Sequence, residues 1–568
     1  MQVNYNYSPK QYLMLIPLLV ALIVAGALLM SGGNVYANEN EQLQDLINQL
    51  PNKKLNKLEG VISELETFPS SIKNEKEADK VNKLILKIFE NLLAGKLYYL
   101  KSDKSLLSVD KSNSSELIIS RLISGEQLDN IKKQDIKKIR TNNKLRKNLR
   151  KTISRLTLFS NDPGQRRNAV LNMLDNLGSE NIELLKTAKE KETNKKIVGL
   201  INTALNLIKL DSQRADIRLE AALALSGVMN PVVKNRLTDL VQKDSEGHYL
   251  ETDRKVRNAA EKSLRTIESK SNVYNFIEKI FFGLSLGSVL LLIAIGLSIT
   301  FGVMGVINMA HGELIMLGAY TTYVIQQLMP NNIGMSILLA IPAAFIVSGL
   351  VGILIERGVI QFLKGRPLET LLATFGISLI LQQTVRSVFS PLNRQVSSPE
   401  WMSGALEINP VLAITYNRLY VFIFSLLVFA VLLFIMKKTA LGLYVRAVSQ
   451  NRDMAKAMGI RSEWVDAMTF GLGSGIAGVA GVALSQLTNV GPNLGQAYII
   501  DSFMVVVFGG VGNLWGTLVG GFTLGVANKF LEPAAGAVLA KIIVLVFIIL
   551  FIQKFPRGLF PQKGRAAE

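Results

Sequence analysis

The amino-acid sequence predicts an all-α protein, a polytopic α-helical membrane domain preceded by an exported helical domain. Three observations carry this. Residues 38–271 are rich in Lys, Asn, Glu and Asp, whereas long apolar runs dominate after Val273. Before that boundary, apolar residues recur at helical spacing. After it, apolar stretches of membrane-spanning length follow one another. The chain of 568 residues is also too long for one compact domain. The expected division is 1–37, a signal segment; 38–272, the exported domain; and 273–568, the membrane domain.

The signal segment comes first. Lys10 precedes an apolar run from Leu13 to Met30, then Ser31, Gly32, Gly33 and Asn34, then Val35-Tyr36-Ala37. This is the layout of a secretory signal. The run exceeds the roughly 7–15 residues of an ordinary signal core. A cleaved signal peptide and an uncleaved signal anchor therefore both stay open. Either one exports the residues after Ala37.

In the exported domain, Val81, Leu84, Ile85, Ile88, Phe89, Leu92 and Leu93 outline one helical face. Ile197, Leu200, Ile201, Leu205 and Ile208 outline another. Turn signals at Asn161-Asp162-Pro163-Gly164, Asn230-Pro231 and Asp244–Gly247 separate such runs. A loose repeat appears: Arg166-x-x-Ala169-x3-Met173, Arg218-x-x-Ala221-x3-Leu225 and Arg257-x-x-Ala260-x3-Leu264. HEAT-like helix pairs and a generic helical domain both accommodate it. His248 lies in a polar loop and reads as solvated.

Composition excludes several chemistries. With no Cys, there is no disulfide, thiolate metal site or Cys nucleophile. His248 and His311 are the only histidines, too few for a His-rich metal site. No nucleophile–base pair is visible, so neither an enzyme nor a cofactor is expected. The net charge of +19 raises nucleic acid as a partner. The basic residues, however, sit in loops between apolar spans or among acids on helical faces, so membrane lipid is the expected partner and nucleic acid is not.

The expected spans are 280–304, 306–328, 333–355, 369–389, 419–435, 464–487, 498–530 and 536–552. The seventh is too long for one simple crossing and dense in glycine, which predicts two segments with a break, or a re-entrant turn plus a helix. Basic residues cluster at Arg357–Arg366, Lys437–Arg461 and Lys554–Arg565, which places those regions in the cytoplasm. The first span then enters from outside, in agreement with an exported N-terminal domain. The protein is thus expected in the plasma (inner) membrane, multi-pass, with a cytoplasmic C-terminus.

Within the block Gly296–Glu313, Asn308, His311 and Glu313 interrupt apolar sequence near several glycines. Ionisable groups at membrane depth face a cavity or a partner, and glycine-broken helices expose backbone groups to a solute. The alternative is that His311 and Glu313 satisfy each other or fix a helix break.

The phrase Ile307-Asn308-Met309-Ala310-His311-Gly312-Glu313 resembles the signature of the permease subunits of the branched-chain amino-acid and urea family of ABC importers. The resemblance runs from about Ile280 to Gly564. Thr488–Gln496, Tyr498–Phe503 and Val507–Thr517 look closest to the urea branch. It implies a permease, with Asn308, His311, Glu313, Thr300, Asp501 and Asn513 on the substrate pathway. In the loop 437–463, Arg446, Ala447, Ala455, Ala457 and Gly459 resemble the helix that couples such permeases to their ATPase, and Arg446, Arg452 and Lys456 could pair with an acidic rim there. No G-x-x-x-x-G-K-[ST] phosphate loop occurs, so any ATPase is a separate chain. The implied partners are a second permease subunit, two cytoplasmic ATPase subunits and an extracytoplasmic solute-binding protein, which the exported domain would dock. The expected solute is urea; the alternatives are a branched-chain amino-acid importer, or a passive channel for small polar solutes.

Overall fold

The computed structural model describes residues 42–51, 55–72, 74–111, 117–123, 125–128, 134–174, 177–409 and 411–561. The expected signal segment lies outside them. The chain forms two compact units, one ending at Ile267 and the other starting at Glu268.

The N-terminal unit opens with helices α1 (42–49), α2 (Leu55–Ser71) and α3 (Glu75–Ala94). Ile85, Ile88, Phe89 and Leu92, from the predicted apolar face, are fully buried against Leu58, Ile62 and Leu65. Four short strands follow: β1 (Leu97–Leu100), β2 (Leu106–Lys111), β3 (Leu117–Arg121) and β4 (Ile136–Lys138). They form an antiparallel sheet in the order β3-β2-β1-β4, with its own small core of Leu107, Val109, Ile119 and Ile136. The sequence reading contained no such sheet. Strands of three to six residues are too short to register in the 11–18-residue windows that reveal periodicity.

Helices α4 (Asn143–Thr157), α5 (Pro163–Leu174), α6 (Ile182–Lys191), α7 (Lys195–Lys209), α8 (Ala215–Ala224) and α9 (Pro231–Val241) come next, followed by the start of α10 (Arg254–Met304). Asn142, Asn194 and Asn230 cap α4, α7 and α9 by accepting from backbone N–H groups of the first turn. The repeated alanines Ala169, Ala221 and Ala260 are buried in one core with Met173, Leu225 and Leu264. Each repeated arginine makes the same clasp. Arg166 Nη1 donates to the carbonyls of Ser160 and Asn161, Arg218 to those of Ser212 and Gln213, and Arg257 to those of Glu251 and Thr252. The first two also grip a buried glutamate with both remaining nitrogens. Arg166 holds Glu192 at 2.7 and 3.0 Å, and Arg218 holds Glu251 at 2.8 Å twice. These arginines keep both carboxyls below the usual carboxylate range.

In the second unit, α11 (His311–Leu328), α12 (Ile333–Gly358), α13 (Pro367–Phe389), α14 (Tyr416–Lys438), α15 (Ala440–Gln450), α16 (Arg452–Ala457), α17 (Ser462–Ser485), α18 (Gln496–Gly509), α19 (Leu514–Ala535) and α20 (Ala537–Lys554) follow. Among the described residues, six helices are long and apolar enough to cross a membrane. The unit is a polytopic α-helical membrane domain. Its hub is α17, whose most apolar stretch is 89% buried inside the protein, against 17% for α20. Glycine makes that burial possible. A Cβ on Gly318 of α11 would collide with the backbone of Gly478 on α17, and one on Gly296 of α10 with the carbonyl of Gly473. Such close backbone approach is how helices gain contact where no hydrophobic force drives them together.

The glycine-rich seventh segment is broken in two at 510–513, where Gly510 and Gly512 hold φ of +102° and +78°. Leu559 and Phe560 donate to the carbonyls of Phe508 and Gly509, so the tail lies against this break. The basic loops gather nearby. Lys364 and Arg452 both reach Asp466, and Gly512, Asn513, Lys437 and Arg446 line one cavity. Elsewhere in the unit, β5 (Ala405–Glu407) pairs with β6 (Ala413–Thr415), and Arg394 bridges Val490 by two backbone hydrogen bonds of 2.7 and 2.9 Å.

Candidate functional site

Helix α10 stops at Met304 and α11 starts only at His311. The intervening backbone turns at Gly305, with φ +67°, and runs back along α10. The return brings His311 beside Ile293, whose carbonyl accepts from Nε2 at 3.1 Å, which assigns the ring proton to Nε2. Asn308 Oδ1 accepts from Ala310 N, and Met309 N donates to Thr374 Oγ1. Glu313, in the first turn of α11, accepts from Ser378 Oγ at 3.0 Å and from Gln382 Nε2 at 2.7 Å, both on α13. A carboxylate at that position is also favoured by the helix dipole.

Asn308, His311 and Glu313 are at most 1% exposed. Each still has an unpartnered polar atom: Nδ2 of Asn308, Nδ1 of His311 and Oε2 of Glu313. Such atoms are costly to bury unless something else pairs with them. His311 and Glu313 do not satisfy each other. Two residues apart on a helix, they point to different neighbours, one to α10 and the other to α13. Beside them the N-terminus of α18 meets that of α11, so close that a Cβ on Gly312 would lie 2.9 Å from the carbonyl of Gly495. Two helix N-termini, neutral hydroxyl and amide groups and a carboxylate thus converge in the interior of the unit.

The other expected pathway residues lie differently. Thr300 is buried and bonds back to the carbonyls of Gly296 and Leu297 within its own helix, one turn from Gly296, which touches His311. Asp501 pairs with Lys541 of α20 at 2.8 Å. Asn513 caps α19 by accepting from Trp515 N and Gly516 N, and donates to the Phe560 carbonyl. The structure groups Asn308, His311 and Glu313 and gives Asp501 and Asn513 other partners. The sequence reading missed Thr374, Ser378 and Gln382. Their i, i+4, i+8 spacing places them on one face of an apolar helix, which was legible.

The coupling-like loop is two short helices, α15 and α16, ended by Gly459 at φ +84°. Ala457 and Gly459 are exposed, together with Met454 and Met458. Ala455 faces inward, 4% exposed, in a core with Val445, Val448 and Val465. Arg446 is exposed and donates to the Met436 carbonyl, while Ala447 is half-buried. Arg452, read as available to an acidic rim, is instead committed to Asp466.

Residues 279–552 match the family model described as branched-chain amino acid transport system / permease component. The high-affinity branched-chain amino acid transport system permease protein BraD of Pseudomonas aeruginosa is 30% identical over 298 residues, covering 50% of this chain and 96% of BraD. LivH of Salmonella typhimurium, of the same description, is 31% identical over 295 residues, 50% of this chain and 95% of LivH. The probable branched-chain amino acid transport permease LivH of Methanocaldococcus jannaschii is 27% identical, covering 48% of this chain and 88% of that protein. No solved structure matches the chain.

Proposed function

The chain belongs to the permease-component family of branched-chain amino acid transport systems, and on that premise we propose that it is the translocation subunit of an ATP-driven importer of amino acids. The observation that carries this reading is that 96% of an amino-acid permease aligns with this chain, and that the family match, residues 279–552, lies within the second unit. The amino-acid alternative is thereby favoured over urea. The interior cluster supports it: helix N-termini suit a carboxylate, and Glu313 suits an ammonium.

Separate ATPase subunits would engage the exposed residues of the Met454–Gly459 segment, Met454 and Lys456 to Gly459, from the cytoplasm, where the positive-inside rule puts the basic loops. A second permease subunit and an extracytoplasmic binding protein complete the assembly, and the N-terminal unit would lie outside the membrane.

Uptake of labelled leucine and labelled urea in cells lacking this gene tests the proposal. The expected result is loss of leucine uptake with urea uptake intact, restored by the gene and abolished by ATP depletion. Selective loss of urea uptake would establish the urea reading. Restored uptake that survives ATP depletion would establish a passive channel.

A further inference from the structure

Asp466 lies near the start of α17 and is fully buried. Its carboxylate accepts from Arg452 Nη1 at 2.7 Å, Arg452 Nη2 at 3.0 Å and Lys364 Nζ at 2.6 Å. Lys364 also lies 3.6 Å from buried Glu356, at the end of α12. One carboxylate therefore ties together the turn after α12, the short helix α16 and the hub helix α17. The two cations keep about a third of their side chains exposed and line a cavity of about 740 Å³ with Ser449, Lys456 and Glu463.

The six residues of α16 are far too few to hold a helix by themselves. The segment is seated by Ala455, by the Asn451 cap and by this ion pair. The buried Asp466 carboxylate resists losing its partly exposed partner, because a lone buried charge is much costlier than a paired one. Movement of α16 therefore takes Asp466 with it. From Asp466, α17 leads to Gly473, which packs on Gly296, which in turn touches His311. The path consists of the bidentate Arg452–Asp466 pair, a buried helix and glycine-tight backbone contacts.

We infer that Asp466 is the positioning residue that transmits displacement of α16 through α17 to the Asn308–Glu313 cluster. This rests on the transport reading above. The test uses the full chain assembled in vesicles with its ATPase and partner permease subunits and supplied with the solute-binding protein. It measures leucine transported per ATP hydrolysed for wild type, Asp466→Asn, Arg452→Gln and Arg452→Lys.

The expected result is a drop of about tenfold in that ratio for Asp466→Asn and Arg452→Gln, the scale on which small free-energy losses act, with partial recovery in Arg452→Lys. A merely structural role would lower the yield of complex and both rates together and leave the ratio at the wild-type value, and that result overturns the inference. If Asp466→Asn does not assemble, Arg452→Gln decides the question, since Lys364 still pairs with the buried carboxylate. A wild-type complex without ATP-dependent uptake overturns the transport reading instead, a failure distinct from an unchanged ratio.

Discussion

In the N-terminal unit, helices meet through Leu, Ile and Ala side chains, and Arg166–Glu192 and Arg218–Glu251 clamp successive layers. In the membrane unit, α11, α12 and α17 meet through Gly318, Gly349, Gly471 and Gly478, backbone against backbone. Both units are largely helical, but they answer to different solvents. Water drives apolar side chains together and leaves polar pairs to fix the register. Lipid supplies no such drive, so contact area and small residues must do it. The Arg452–Asp466 pair breaks this division: it is a clamp of the first kind built into the second unit, where the coupling-like loop joins the hub.

The comparison is broken most severely at a glycine. Gly318→Leu puts a side chain where the backbone of Gly478 already lies. Neither helix can retreat, because α17 is enclosed by α10, α11 and α12. The expected outcome is complete loss of uptake and of monodisperse protein in detergent. Val546→Leu on α20, half-exposed, should be neutral within about 0.5 kcal/mol. Normal yield of Gly318→Leu would show that side-chain packing, not backbone contact, holds this unit.

Six of the expected spans, 280–304, 333–355, 369–389, 419–435, 464–487 and 536–552, fall in helices long and apolar enough to cross a membrane, and they were legible because apolar runs of that length have one common explanation. An interruption somewhere within 498–530 was legible too, since a glycine-dense run of that length does not read as one plain helix, but its position between α18 and α19 was not. Asn308, His311 and Glu313 stood out as polar residues in apolar sequence, but their partners did not. Ser378 and Gln382 lie 65 and 69 residues further on, and nothing local says that α11 and α13 touch there. Asp466 was overlooked because one acid in a span is a weak signal until Lys364 and Arg452 are seen beside it. In the N-terminal unit the repeated Arg-x-x-Ala was visible, whereas Glu192 and Glu251, at offsets of 26 and 33 residues, follow no fixed spacing.

A smaller effect tests the clamps. Glu251 is 4% exposed and also accepts from Asp253 N at the start of α10. Glu251→Gln leaves Arg218 without its counter-charge, and removing one partner of a buried pair costs about 3 kcal/mol. Amide exchange in α8 and the first turns of α10 should rise accordingly, with the membrane unit unchanged. Unaltered protection would reduce the clamp to a surface pair, worth about 0–1 kcal/mol.

The smallest effect is a pH dependence. Arg166 and Arg218 hold Glu192 and Glu251 below the usual carboxylate range. Each folded-state pKa is therefore lower than its unfolded value of about 4.3. The folded state then binds fewer protons than the unfolded one in that window, so its stability rises with pH there. The clamps contribute fully above about pH 5 and are lost as pH falls through the folded-state values. The thermal midpoint of the N-terminal unit, compared at each pH between wild type and the Glu192→Gln/Glu251→Gln double variant, isolates their share. The gap should be constant between pH 7 and about pH 5 and narrow as the solution is acidified further. A gap that persists at low pH would mean that the clamps act through the shape of their hydrogen bonds rather than their charge. The contrast between the two units would then rest on packing alone.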